Sequence, residues 1–295
     1  MSNGLYSTQY DRDSSPGFLE NLPSSIRRYS YEGREQVRRV MDLEFDHFQL
    51  STCLLHSDHP QSHSDDNATE YVLFDIDSST LEHDILNPNV ERFPFRCSSF
   101  DITKGLLLVK MVTLEHSQAA TAFHDAIFEA LEPMNLHKAI QTFSGVTIKA
   151  GDGGKEPDHG WGPIRPPPGY ARKPTIALEV AVSETPAKLQ QDVDFWLDPN
   201  RGNANIVITL RVNRKKPLIT IDKWERRNQQ SQRVQQITIA EDPNGERVTV
   251  SAFPLILPFH LLFRRPRSSP AEVDIRIGQQ ELKGIAERIW AVQEF

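Results

Sequence analysis

Asp158 follows Pro157 and precedes the flexible pair His159-Gly160, while Glu179 sits inside the apolar run Pro174-Thr-Ile-Ala-Leu-Glu-Val-Ala-Val182. Two such carboxylates can hold a hard divalent cation and leave coordination positions open to water and a phosphate. The chemistry they point to is metal-assisted hydrolysis of a phosphodiester. Strand alternation puts Ile176, Leu178, Val180 and Val182 on one face, with Thr175, Ala177, Glu179 and Ala181 on the other. That second face is small apart from Glu179, which predicts a clearing for a cation and a scissile phosphate. Each residue also has a plainer use. An Asp beside a proline commonly makes a turn, and a strand Glu can point to water or pair with an arginine.

Directly after the strand, Thr185-Pro186 reads as an N-cap with proline at the first helical position. Leu189, Val193, Trp196 and Leu197 then form the buried stripe of a helix, and Lys188 falls in its first turn. Lys188 could orient an attacking water or hold a phosphate there, or it could pair with Asp192 one turn on. Glu115, His116 and Glu129 are further candidates for a third ligand. The stretch His56 to Asn67 also carries His and Asp residues, but no apolar residue fixes their geometry, so it reads as a disordered loop.

The elements that must position these groups follow from periodicity. Gly33 to Phe48, Ser117 to Leu131 and Gly278 to Val292 carry helical stripes. Tyr71 to Asp77, Leu106 to Val112 and Gly145 to Lys149 read as strands. Asn205–Val212 and Leu218–Trp224 form a hairpin, and Ser231–Ala240 pairs with Arg247–Ala252 across the turn Asp242-Pro-Asn-Gly245. The expected organisation is an acidic, partly disordered N-terminal extension over residues 1–100 and a mixed α/β domain over 101–295.

The net charge of −7 is unevenly spread. Residues 1–100 hold 17 Asp and Glu against 8 Arg and no Lys, so the remainder of the chain is slightly basic. Arg211, Arg214, Lys215, Lys216, Lys223, Arg226, Arg227 and Arg233 crowd one short stretch against Asp222 and Glu225. That run could face a phosphate backbone or simply coat a solvated strand. Cys53 and Cys97 are the only cysteines, which leaves neither a disulfide framework nor a cysteine zinc site. The N-terminus does not read as a secretory signal, and no apolar run approaches the roughly 20 residues needed to cross a bilayer. An intracellular setting, cytoplasm or nucleus, is expected.

Lys155-Glu-Pro-Asp158, Pro174-Thr-Ile-Ala-Leu-Glu-Val180, Ser183-Glu-Thr185 with Leu189, Asp192 and Trp196-Leu197, and the strand Val207-Ile-Thr-Leu210 together resemble the PD-(D/E)XK restriction-endonuclease-like superfamily, including its fungal and bacterial members. The resemblance spans roughly residues 105–226. It implies a restriction-endonuclease-like α/β core, a central mixed β-sheet flanked by helices, here with extra C-terminal hairpins. It also implies Mg²⁺ (or Mn²⁺) held by Asp158, Glu179 and a backbone carbonyl near Val180, with DNA as the substrate. The family's lysine two residues past the glutamate is Ala181 in this chain. Lys188 is then the natural substitute, ahead of Lys155 and Lys173. Two readings follow: a metal-dependent nuclease using Asp158, Glu179 and Lys188, possible as a homodimer because cutting both strands favours pairing, or a catalytically inactive nuclease fold that binds nucleic acid or protein.

Overall fold

The computed structural model describes residues 24–55, 69–87, 95–182, 184–242 and 247–293, together with residues 19, 22, 89 and 93. The His/Asp-rich stretch 56–67, residues 1–18 of the expected N-terminal extension and the turn at 243–245 lie outside the described residues. The described residues form a mixed α/β architecture with two large sheets and a two-stranded third.

In spatial order the first sheet runs β1 (Arg27–Ser30), β2 (Tyr71–Asp75), β4 (Leu106–Lys110), β3 (Arg96–Asp101), β7 (Gly153–Lys155) and β6 (Ile148–Ala150). β1 lies parallel to β2, and every other pairing is antiparallel. Helix α1 (Arg34–Leu55) covers one face, burying Val37, Met41 and Phe48 against Val72, Phe74, Leu107 and Val109. A short helix, α2 (Ser78–Thr80), capped by the Asp77 carboxylate, runs into a π-helical turn over Leu81–Leu86. Residue 100, where the sequence divides an N-terminal extension from the α/β domain, lies inside β3. Strands on both sides of it share one sheet because the apolar faces of β2 and β4 need each other as neighbours.

The second sheet runs β13 (Val248–Val250), β12 (Gln230–Glu241), β11 (Leu218–Arg227), β10 (Ile206–Val212), β9 (Ile176–Ala181), β8 (His159–Pro163) and β5 (Ile140–Thr142). Only β9 and β10 are parallel. A parallel pair requires a crossover, and helix α4 (Pro186–Leu197) supplies it. The Thr185 side chain caps α4 by accepting from the Lys188 backbone N–H, with Pro186 at the first helical position. Such a cap contributes about 1 kcal/mol.

Helices α3 (Leu114–Leu131) and α6 (Gln279–Gln293) pack with Ile176, Leu178, Val180 and Val182 on one face of this sheet. On the other face α4 buries Val193, Phe195, Trp196 and Leu197 against Ala177 and Val207. β14 (Leu255–Leu257), β15 (Ile275–Ile277) and the one-turn helix α5 (Phe259–Phe263) close the first of these cores. Among the described residues no helix is long and apolar enough to cross a membrane.

Candidate functional site

The chain passes from the first sheet to the second between Lys155 at the end of β7 and His159 at the start of β8. Asp158 therefore lies at the seam where the two sheets meet. Sheet pairing sets Arg96 and Tyr71 beside Lys110 across three adjacent strands. Their side chains all reach the same seam as Asp158. From the second sheet come Glu179 and the backbone of Val180, from α3 His116, and from α4 Lys188 and Asp192. Glu70 and Glu184 complete the set. Asp158, Glu179, Lys110, Lys155, Lys188, His116 and Asp192 are each at most 3% exposed.

Asp158 is saturated. Its Oδ2 accepts from Lys110 Nζ at 2.9 Å and from the Val180 N–H at 2.5 Å. Its Oδ1 lies 3.0 Å from an Arg96 guanidinium nitrogen and 3.3 Å from His116 Nε2. Burial opposes ionisation of Asp158, but Arg96, His116 and Lys110 outweigh it and hold the carboxyl well below its ordinary range. Lys110 Nζ also donates to the Val180 carbonyl at 2.8 Å. Burial disfavours the Lys110 charge as well, yet Asp158 and Glu70 raise its pKa above the usual lysine value.

Glu179 occupies the face expected to be clear, and that face is filled. The Trp196 indole N–H donates to Glu179 Oε1, and Lys155 Nζ lies 3.4 Å from the same oxygen. The alternation was legible, but not that α4 would fold its largest side chain onto the only small patch of the strand. Burial lifts the Glu179 pKa to about 7; Lys155 opposes the shift, and Asp158 and Asp192 add to it.

Lys188 does not join Asp158 and Glu179. It donates to both oxygens of Asp192 at 2.6 Å and lies 3.7 Å from Glu184 Oε1, one of the two uses expected for it. Lys155 reaches Asp192 at 3.0 Å and so links Glu179 to the Lys188 group. Burial raises the Glu184 pKa to about 8 against the pull of Lys188. The Tyr71 ring lies between the two groups, with Lys110 Nζ 5.2 Å and Lys188 Nζ 4.9 Å from its centroid.

The expected ligands, two carboxylates and the Val180 carbonyl, are all oxygens and are chemically suited to Mg²⁺. In this arrangement they do not fit it. The Val180 carbonyl and Asp158 Oδ2 already share the Lys110 ammonium, and Glu179 Oε1 already faces an N–H and a second ammonium. A divalent cation there would meet two lysine charges with too few free lone pairs. Among the described residues no three His, Cys, Asp or Glu side chains gather as a metal site.

No protein-family model matches the sequence, and no curated protein does. One solved structure, "a putative nuclease belonging to DUF820 from Anabaena variabilis ATCC 29413", superposes on 62% of this chain and 87% of its own, at 12% identity and a TM-score of 0.34. At that score the likeness fixes neither the fold nor the chemistry.

Of the other residues singled out in the sequence, His116 is in the cluster beside Asp158, whereas Glu129 is exposed on α3. Lys173 donates to the Arg201 carbonyl instead of reaching the carboxylates. The basic run 211–233 is not one face. Asp222 lies between Arg211 and Arg233, at 3.3 and 3.6 Å, and Glu225 between Lys223 and Arg227, both at 2.9 Å. Lys110 is the residue the sequence reading missed. Its signal was present in Leu106-Leu-Leu-Val-Lys110, a charge embedded in an apolar strand just as Glu179 is.

Proposed function

We propose that this chain is a nuclease-fold protein that binds nucleic acid without cutting it, its acidic site closed by its own lysines. The observation that carries this reading is Lys110 Nζ, placed 2.9 Å from Asp158 Oδ2 and 2.8 Å from the Val180 carbonyl. Those two oxygens are the ones a catalytic cation would need. Metal-assisted hydrolysis needs an ion with an open position and a water of lowered pKa, and an ammonium offers neither. The burial of the whole cluster supports the same reading, since Glu179 is only 1% exposed and offers little surface to a scissile phosphate. The restriction-endonuclease-like resemblance supplies the fold half of the proposal.

The competing reading is hydrolysis of DNA with Mg²⁺ or Mn²⁺ on Asp158, Glu179 and the Val180 carbonyl. The convergence of those groups in one cluster, with Lys155 against Glu179 in place of the missing lysine at Ala181, speaks for it. The deciding experiment incubates the protein with supercoiled plasmid and with labelled single strands in Mg²⁺ or Mn²⁺. Bound but intact nucleic acid is expected. Scission that requires the metal and disappears in Glu179→Ala would overturn the binding reading in favour of the nuclease.

A further inference from the structure

Besides the run visible in the sequence, a second group of cations is assembled from remote segments. The loop after β8, the single turn at Lys138 and the end of α5 surround a cavity of about 770 Å³. Lys138, Arg165 and Arg265 line it over a floor that includes Pro166, Pro167 and Phe263, and among the described residues no carboxylate lines it. Arg265 is fixed in place by both oxygens of Glu272, at 2.6 and 2.9 Å, and lies 4.9 Å from the Phe259 ring centroid. Asp158 stands at the opposite end of β8 from Pro163, about 16 Å away at strand rise, so the cavity is distinct from the buried cluster.

The same loop carries the patch onward. Arg264 lies over the Tyr170 ring at 4.5 Å and donates to the Asn203 carbonyl. Lys173 binds the neighbouring Arg201 carbonyl. Arg264 Nε is buried without a hydrogen-bond partner. Among the described residues no carboxylate pairs with Lys138, Arg165, Lys173 or Arg264, although Arg265 and Arg267 beside them are paired with Glu272 and Asp274. Lys173 is driven below the usual lysine value by burial and then by the charge of Arg264, so these two cations repel across the patch. Tyr170 is 50% exposed. Cations without counter-charges, interleaved with an exposed aromatic ring and a proline floor, provide phosphate contacts and stacking surfaces in turn.

We infer that single-stranded nucleic acid binds along the loop 163–173, with phosphates on Lys138, Arg165, Lys173 and Arg264 and bases on Tyr170 and the proline floor. This rests on the nucleic-acid-binding reading above and gives it a surface. A bland use exists for two of the cations, since Lys173 and Arg264 also tie down carbonyls of the turn after α4. Lys138, Arg165 and Tyr170 are exposed and serve no such purpose, so the test is built on them.

The test measures binding of a fluorescein-labelled oligothymidylate by anisotropy across a salt series. Lys138→Ala/Arg165→Ala is expected to weaken binding about tenfold or more and to flatten the slope of log K against log salt by about 0.7 for each phosphate no longer neutralised. Tyr170→Ala is expected to weaken it by a comparable factor, with Tyr170→Phe close to wild type. Lys215→Ala/Lys216→Ala, on the loop between β10 and β11, serves as the control and should bind as wild type. Wild-type binding that these cavity variants leave unmoved would overturn this site while the binding reading stands. Displacement by a mononucleotide as readily as by the oligomer would overturn the strand in favour of a small phosphorylated ligand. A wild-type protein that binds no oligonucleotide at low salt would sink the binding reading and this site with it.

Discussion

Lys110 and Asp158 are 48 residues apart in the chain and meet at 2.9 Å, the lysine at the end of a strand in one sheet and the aspartate on the link into the other. Their ion pair joins the two sheets at a buried point. Asp158 also receives the Val180 N–H, Arg96 and His116, so a single carboxylate gathers groups from three strands and a helix. Burying charge in this way carries a large desolvation cost, offset only when every lone pair finds a donor. Asp158 meets that condition.

Lys110→Ala should therefore destabilise the fold by about 3–5 kcal/mol, the range for leaving one partner of a buried ion pair uncompensated. It should also free the Val180 carbonyl and Asp158 Oδ2 for a cation. Thermal unfolding of the wild type is expected to be indifferent to EDTA and to Mn²⁺, while Mn²⁺ restores part of the loss in Lys110→Ala. A wild-type melting temperature that rises with Mn²⁺ would mean that a metal displaces the lysine, and the closed-site reading would fail.

The two carboxylates singled out in the sequence should respond differently to neutralisation. Glu179, with its pKa lifted to about 7, is half protonated near neutrality, and an amide oxygen can still accept the Trp196 indole N–H. Glu179→Gln is expected to cost about 1 kcal/mol or less. Asp158→Asn would present an N–H₂ group to a set of donors, leaving buried cations unmatched, and should cost several times more, on the order of 3–5 kcal/mol. Urea unfolding of the two variants measures the difference directly. Equal losses would mean that Glu179 is as fully ionised as Asp158.

The long elements were legible because each carries its own period. α1, α3, α4 and α6 fall where the apolar stripes place them, β2, β4, β9 and β10 fall within the apolar runs, and β11 starts with its run at Leu218 but continues past Trp224 to Arg227. β7 and β8 were not legible, because Gly153-Gly-Lys155 and His159-Gly-Trp-Gly-Pro163 show no alternation at all. Their glycines answer to neighbours remote in sequence. A Cβ on Gly154 would lie 2.5 Å from the Phe100 ring, and one on Gly160 would lie 2.9 Å from Pro174. Within the candidate site, Asp158 and Glu179 could be read from their local setting, and they do share one cluster. What surrounds them could not. Lys110, Arg96 and Glu70 come from a region that composition alone marks as an acidic extension, or from its border, and only strand pairing brings them to the seam.

Gly202 offers a test of how tightly α4 is held over Glu179. A Cβ there would fall 2.6 Å from the Trp196 Cα and 2.7 Å from its carbonyl oxygen, clashes that only backbone movement can relieve. Gly202→Ala should push Trp196 away from Glu179 and cost about 1–3 kcal/mol. Trp196 fluorescence should shift to the red as the indole loses its buried acceptor. An unchanged spectrum together with unchanged stability would show that the turn after α4 adjusts freely and does not hold the indole in place.

The cluster also sets a pH dependence of opposite sign on its two sides. Glu184 and Glu179 titrate in the fold at about 8 and about 7, against an ordinary carboxyl value of 4.5. Across that interval the folded chain binds more protons than the unfolded one, so their contribution is complete below about pH 4.5 and is lost as pH rises toward 8. Asp158, Asp192 and Glu70 have lowered values, so what they contribute is present above the ordinary carboxyl range and is lost on acidification below it. Stability is therefore expected to peak near pH 5 and to decline through neutrality. Glu184→Gln keeps the neutral form of that side chain at every pH and should flatten the upper part of the decline, leaving the acid limb as it was. Urea midpoints taken from about pH 4 to pH 9 separate the two limbs. A wild-type midpoint that stays level or rises between pH 5 and 8 would show that Glu179 and Glu184 are ionised in the fold, with the lysines around them outweighing the cost of burial.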